Sequence, residues 1–171
     1  GMGKNKLGTM LGVNPDEANG LINKYNTKAP FVKALSDRCM QKASSEGIIR
    51  TKLGRKCRFD MWEPKDFGIH TAERFDNASA KYGAQNIKRA FTYKALNRLI
   101  QGSAADQTKQ AVVDCHEKGF TPMLQIHDEL CFSIKKDEDV KIIKDAMENC
   151  MELKVPSVVD IAIGKDFGEA S

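Results

Sequence analysis

His127, Asp128 and Glu129 follow one another at the corner between two apolar runs, 122–126 and 130–134, and bring an imidazole and two carboxylates to one point of the chain. Adjacent carboxylates offer hard oxygen donors. Mg²⁺ takes oxygen ligands and is commonly held by one or two carboxylates together with substrate phosphates, so Asp128 and Glu129 could form half of a site for phosphoryl transfer. Acidic residues at hairpin turns are also frequent as plain solvated groups, and the triplet alone leaves both readings open. Leu124, Ile126, Leu130, Phe132 and Ile134 predict the two buried strands of a β-hairpin whose tip projects into solvent or a cleft. A second cluster is basic. The stretch from Ile48 to Phe59 reads as another hairpin, with Gly54 in its turn and Arg50, Lys52, Arg55, Lys56 and Arg58 around it. A basic turn by itself is often only solvated surface.

The elements that position these tips can be read in order. Asn14-Pro15-Asp16-Glu17 combines an N-cap, a proline at the first helical position and a glutamate three residues after the cap, which predicts a helix start. Leu21, Ile22 and Tyr25 give that helix an apolar face. Pro30 opens a second helix, whose Phe31, Leu35, Cys39 and Met40 or Ala43 keep helical spacing until Gly47. From Asp60 to Gly83, Pro64, Gly68 and mixed charge predict a long irregular connection that includes the single tryptophan, Trp62. Helical spacing resumes at Ile87, Ala90, Phe91 and Lys94 and passes through Leu96 and Ile100 to a break at Gly102. A second helix then runs to Gly119, with Ser103, Ala104 and Ala105 small enough for close backbone packing. Val140, Ile143, Met147 and Cys150 mark an amphipathic helix over 138–153. Pro156 ends it, and residues 157–163 read as a last strand antiparallel to the acidic hairpin. The fold class is α+β: a small antiparallel sheet with helices packed on one face, preceded by N-terminal helices and the basic hairpin.

A chain of 171 residues allows one domain or a large piece of a bigger one. With 41% hydrophobic and 29% charged residues it reads as soluble, and no run approaches the roughly 18 apolar residues of a membrane span. The N-terminus has no apolar signal stretch and Gly1 reads as an expression remnant, so a cytoplasmic location is expected, with no membrane partner. Five cysteines without a Cys-x-x-Cys pair argue against both a disulfide framework and a zinc site, which leaves free thiols. A net charge of +4 permits a polyanionic partner without requiring one.

Asn97-Arg98-Leu99-Ile100-Gln101-Gly102-Ser103-Ala104-Ala105-Asp106, followed after about twenty residues by Gln125-Ile126-His127-Asp128-Glu129-Leu130, resembles the C-terminal palm of family A, DNA polymerase I-like, DNA polymerases. The resemblance covers essentially the whole chain, and the Cys57-to-Pro64 phrase looks more like phage members than bacterial ones. It implies nucleotidyl transfer in DNA replication at a two-metal Mg²⁺ site, with Asp128 and Glu129 as metal ligands and His127 beside them at the primer end. It implies that Arg55, Lys56 and Arg58, on the family's Gly-Arg-rich hairpin, lie near the primer strand. For Asn97 and Gln101, four residues apart and so on one helical face, it implies minor-groove contact. Base pairs share acceptors there, so amide donors can sense a well-formed pair without reading its identity. Apart from the resemblance, the two amides could equally cap or bridge helices. One position departs from the family: where bacterial relatives usually carry an arginine one turn before the asparagine, this chain has Tyr93 and Lys94, and a lysine is not a bidentate donor.

The resemblance divides the chain into a partial fingers region, 1–83, and a C-terminal palm region, 84–171. It begins after the family's nucleotide-gripping helix and its Asp-Tyr-Ser-x-x-Glu metal motif, so the second ligand set and the deoxynucleoside triphosphate grip are expected from an upstream fragment or subunit. The expected partners are therefore primer-template DNA, nucleotide in the completed enzyme, and that fragment. Alone, the chain is expected to fold, to be inactive, and to self-associate through uncovered sheet edge. Two other readings remain at this point: a silent DNA-binding or assembly module that keeps the palm shape, and a hydrolase using His127, Asp128 and Glu129.

Overall fold

The computed structural model describes residues 3–66 and 68–170. Packing groups the chain into two units, Gly1–Gly102 and Ser103–Ser171, whereas the resemblance divides fingers from palm at 83/84.

In the first unit three helices come first: α1 (Lys4–Leu11), α2 (Pro15–Lys28) and α3 (Pro30–Glu46). The capping box expected at Asn14 is formed. Asn14 Oδ1 accepts from the backbone N–H of Asp16 and Glu17 at 3.0 and 2.9 Å, and Glu17 Oε2 accepts from Asn14 N–H at 3.3 Å. α3 ends at Gly47, whose φ of +71° lets the chain reverse into β1 (Ile48–Arg50). β1 pairs antiparallel with β2 (Lys56–Arg58), Ile49 opposite Cys57, as the hairpin reading requires. Cys39, Ala43, Ile49, Phe59 and Ala95 form the buried core here, with Leu35, Cys57, Leu96 and Leu99 packed on it.

The stretch 60–83 is more regular than its composition predicts. β3 (Met61–Pro64) is the middle strand of a three-stranded sheet, flanked by β4 (Glu73–Arg74) and β5 (Ile87–Arg89), and α4 (Phe75–Tyr82) follows β4 directly. Trp62 organises this region, with its ring centre 5.0 Å from that of Phe75 and 4.6 Å from the Arg89 guanidinium. A short strand with one aromatic anchor leaves too few residues for a periodic signal. β5 also corrects the helical reading of Ile87 and Ala90. Ile87 is buried while Lys88 points out to within 3.7 Å of Glu63 across the ladder, and over three residues period 2 and period 3.6 cannot be told apart.

α5 (Ala95–Glu117) runs unbroken through Gly102, so the break expected there is absent. A Cβ at Gly102 would sit 2.9 Å from Thr51 Cγ2; glycine serves close approach of helix and hairpin, not a kink.

The second unit contains the C-terminal part of α5, a hairpin of β6 (Leu124–Ile126) and β7 (Glu129–Cys131), and α6 (Asp137–Asn149). Ala111, Cys150 and Met151 form one cluster with Leu130 against it. Cys115, Ile143 and Ala146 form another, covered by Phe120, Phe132 and Ile134. The hairpin is therefore anchored through its second strand and the residues just after it; Leu124 is exposed, contrary to the expectation of two buried strands. Residues 157–163 form no strand. They are tied by side chains instead: Gln107 Nε2 donates to Ser157 Oγ at 2.8 Å, and Glu148 Oε1 accepts from Val159 N–H at 2.9 Å. Ala104 and Ala105, expected to pack, are exposed in this unit. No described helix is long and apolar enough to cross a membrane.

Candidate nucleic-acid interface and acidic turn

Strand alternation sets the basic side chains of the first unit. Cys57 packs on the core of the first unit, so Lys56 and Arg58 on either side stand exposed, with exposed Arg50 across the ladder from Lys56. Arg50 Nη1 donates to the Gly54 carbonyl at 3.0 Å and closes the turn, where Gly54 has φ +86°.

Arginines also hold the hairpin down. Arg55 Nη2 donates to the Gly102 carbonyl at 2.8 Å. From α5, Arg98 Nη1 donates to the Arg58 carbonyl at 2.9 Å, and the guanidinium carbon lies 4.6 Å from the Phe59 ring centre. Arg89 Nη1 donates to the Phe59 carbonyl at 2.9 Å, and a Cβ at Gly47 would lie 2.5 Å from the Arg89 guanidinium carbon. Phe59, 2% exposed, is thus gripped on its ring by one guanidinium and on its carbonyl by another. The sequence reading missed Arg98 and Arg89. The signal available was position: Arg98 stands four residues before Gly102, as Asn97 stands four before Gln101, on the neighbouring stripe of one helix.

Asn97 and Gln101 are exposed, and among the described residues neither amide hydrogen-bonds to the protein. Tyr93 and Lys94 are exposed in a 3₁₀ turn before α5. The Lys94 ammonium lies 4.9 Å from the Phe91 ring centre and 5.6 Å from that of Tyr93.

The acidic turn belongs to the second unit. The β6–β7 ladder ends at the pair Ile126–Glu129, which leaves His127 and Asp128 as the turn itself. His127 has φ +52°, at the first turn position, where primed hairpin turns need a left-handed residue and glycine is the usual occupant. Gln125 Nε2 donates to the His127 carbonyl at 3.1 Å and helps hold that conformation. His127, Asp128 and Glu129 are all exposed, and among the described residues neither carboxylate takes part in a salt bridge. No group of three or more His, Cys, Asp or Glu among the described residues is arranged to hold a metal ion. The donor set, one carboxylate in the turn at Asp128 and the next at the start of β7 at Glu129, fits one side of a Mg²⁺ site. All five cysteines are free; burial pushes the Cys39, Cys115 and Cys150 thiols up from their ordinary range.

Residues 1–169 match the model of DNA polymerase family A. The chain belongs to that family. It is 38% identical over 154 residues to the DNA-directed DNA polymerase of Pseudomonas phage M6, covering 90% of this chain and 20% of the phage protein. It is 30% identical over 177 residues to the thermostable DNA polymerase I of Thermus filiformis, covering 99% of this chain and 19% of that enzyme. It thus spans about one fifth of the length of these curated relatives. Among solved structures it is similar to the POL domain of Pol1 from M. smegmatis in complex with DNA primer-template and dNTP, with a TM-score of 0.67 and 25% identity over 91% of this chain and 26% of that one. The family A assignment and the α+β architecture both agree with the sequence reading.

Proposed function

We propose that this chain forms the primer-template-binding and palm portion of a DNA-directed DNA polymerase. The observation that carries the reading is the first unit's surface: exposed Lys56 and Arg58 on a hairpin fastened to the helix that presents the free amides of Asn97 and Gln101. Lys56 and Arg58 meet phosphates, and Arg55, fastened to Gly102 beside them, adds its charge to the same field. The amides donate to minor-groove acceptors that base pairs share, which suits an enzyme that must hold every sequence. The solved relative with primer-template and dNTP supports the same partners for this chain.

At the acidic turn Asp128 would hold Mg²⁺ with Glu129 assisting, and His127 would position the primer end. Mg²⁺, when bound, neutralises charge that develops on the transferring phosphoryl oxygens. Two-metal displacement needs ligands on both sides of the ions, so Asp128 and Glu129 would work with carboxylates supplied outside this chain, together with the grip on the triphosphate. Met123 is 75% and Leu124 49% exposed in the second unit, and the isolated chain self-associates at high concentration through such apolar surface, which sedimentation at rising concentration would detect.

The test is complementation. The purified chain does not extend a primer; added to a polypeptide that carries the remaining family motifs, it does. Extension by the chain alone that Asp128→Ala abolishes would refute the shared site. Tight duplex binding with no extension in any combination would leave a silent DNA-binding module.

A further inference from the structure

We infer that Arg98 is a positioning residue: it fixes the basic hairpin to α5 so that Lys56 and Arg58 reach the same duplex that Asn97 and Gln101 touch. The inference rests on the DNA-binding reading above and adds to it a residue whose charge is used inside the protein. Its guanidinium does two things at once, stacking on Phe59 at 4.6 Å and donating to the Arg58 carbonyl at 2.9 Å. The bond goes to the backbone of a residue whose own side chain points outward, so Arg98 places that side chain without touching its ligand.

A second strut runs the opposite way. Arg55 of the hairpin donates to the Gly102 carbonyl of α5 at 2.8 Å, and the bare Gly102 leaves room for Thr51 against the helix. Residues 98 and 102 are one helical turn apart, directly beside 97 and 101. One helical stripe therefore carries the hairpin's two attachment points, and the adjacent stripe carries the exposed amides. Hairpin and amides share one rigid support, and binding loses less freedom when both elements are already in register. Lysine at 98 would keep the charge but not the planar stack with its edge-on donor.

The experiment is a coupling measurement on the full chain with a primer-template duplex, read by fluorescence anisotropy across a salt series. In wild type, Lys56→Ala with Arg58→Ala lowers the slope of log K against log salt by about 2, one for each lost phosphate contact. In Arg98→Met and Arg98→Lys backgrounds the same pair of changes lowers the slope by less than about 1, because the hairpin no longer delivers those cations. Gly102→Ala, which loosens the other strut, gives the same masking. Arg98→Lys keeps the charge, so it carries the test if Arg98→Met fails to fold. Full additivity of Lys56 and Arg58 with Arg98→Lys would overturn the positioning role while leaving the DNA-binding reading intact. Loss of one further slope unit in Arg98→Met, restored by Arg98→Lys, would also overturn it, because Arg98 would then be a phosphate contact itself. A wild-type chain that binds no duplex, or whose binding ignores Lys56 and Arg58, would overturn both.

Discussion

The two hairpins of this chain are held in different ways. β1–β2 presents cations and adds polar struts to the apolar packing of Ile49, Cys57 and Phe59, with Arg55, Arg89 and Arg98 each donating to a backbone carbonyl around Phe59 and Gly102. β6–β7 presents carboxylates and is fastened by apolar packing, through Leu130 in one cluster and Phe132 and Ile134 in another. On the proposed function, the difference suits the chemistry at each tip. A hairpin that meets a polyanion can use additional cations for attachment, since they add to the favourable field. A tip that must receive a cation has to keep its carboxylates clear of lysine and arginine, which would neutralise them first; apolar residues can hold it without doing so.

Substitutions in each hairpin separate the two modes of attachment. Phe59→Ala should have the largest effect on folding, about 3–5 kcal/mol by chemical denaturation, because it leaves a cavity and strips the Arg98 guanidinium of the ring it stacks on, while the Arg89 bond to the backbone carbonyl of residue 59 remains. Phe132→Ala should cost clearly less, since Phe132 is only half-buried. Equal losses would mean that Phe59 with its guanidinium stack is no more demanding than the apolar packing at Phe132. Asn97→Ala and Gln101→Ala should slow extension at a primer end in the completed polymerase while leaving the salt slope of binding unchanged, unlike losses at Lys56 and Arg58.

His127→Gly tests the tip of the acidic hairpin by itself. Glycine adopts the left-handed conformation freely, so stability should stay within about 1 kcal/mol, and extension should still fall if the imidazole positions the primer end. Unchanged extension would reduce His127 to a turn residue. The smallest effect is at the thiols. Cys57 and Cys131 are half-buried and should react with a thiol reagent before Cys39, Cys115 and Cys150, whose burial keeps them protonated. Because the folded pKa of those three is raised, the stability they contribute is complete below the unfolded thiol value. It is lost as pH climbs from there through the folded one, so denaturation midpoints should drop in alkaline buffer.

What the sequence disclosed tracks how local each signal is. The capping box at Asn14, the β1–β2 hairpin and the acidic turn were legible because side-chain pattern and turn residue fall within a few positions. β3, β4 and β5 were hidden because strands of two to four residues carry no usable period and depend on Trp62 and Arg89 from distant positions. Residues 157–163 alternate like a strand yet form none, because alternation shows that a segment can pair and does not supply the partner strand. In the candidate site, Asn97, Gln101 and Asp128 could be named from motif and chemistry. The roles of Arg98 and Gly102 could not, because they arise from Phe59, Arg58 and Thr51, which lie about forty to fifty residues away in sequence.

The central claim is that the acidic turn supplies metal-ligating carboxylate to nucleotidyl transfer, and the most direct measurement is the single-turnover rate of primer extension by the completed polymerase carrying Asp128→Ala. Stabilisation by a metal ion is worth several kcal/mol and each 1.4 kcal/mol is tenfold, so the rate should fall by about a hundredfold or more while duplex affinity stays near wild type. A rate within a few-fold of wild type would contradict the account and return Asp128 to a solvated turn.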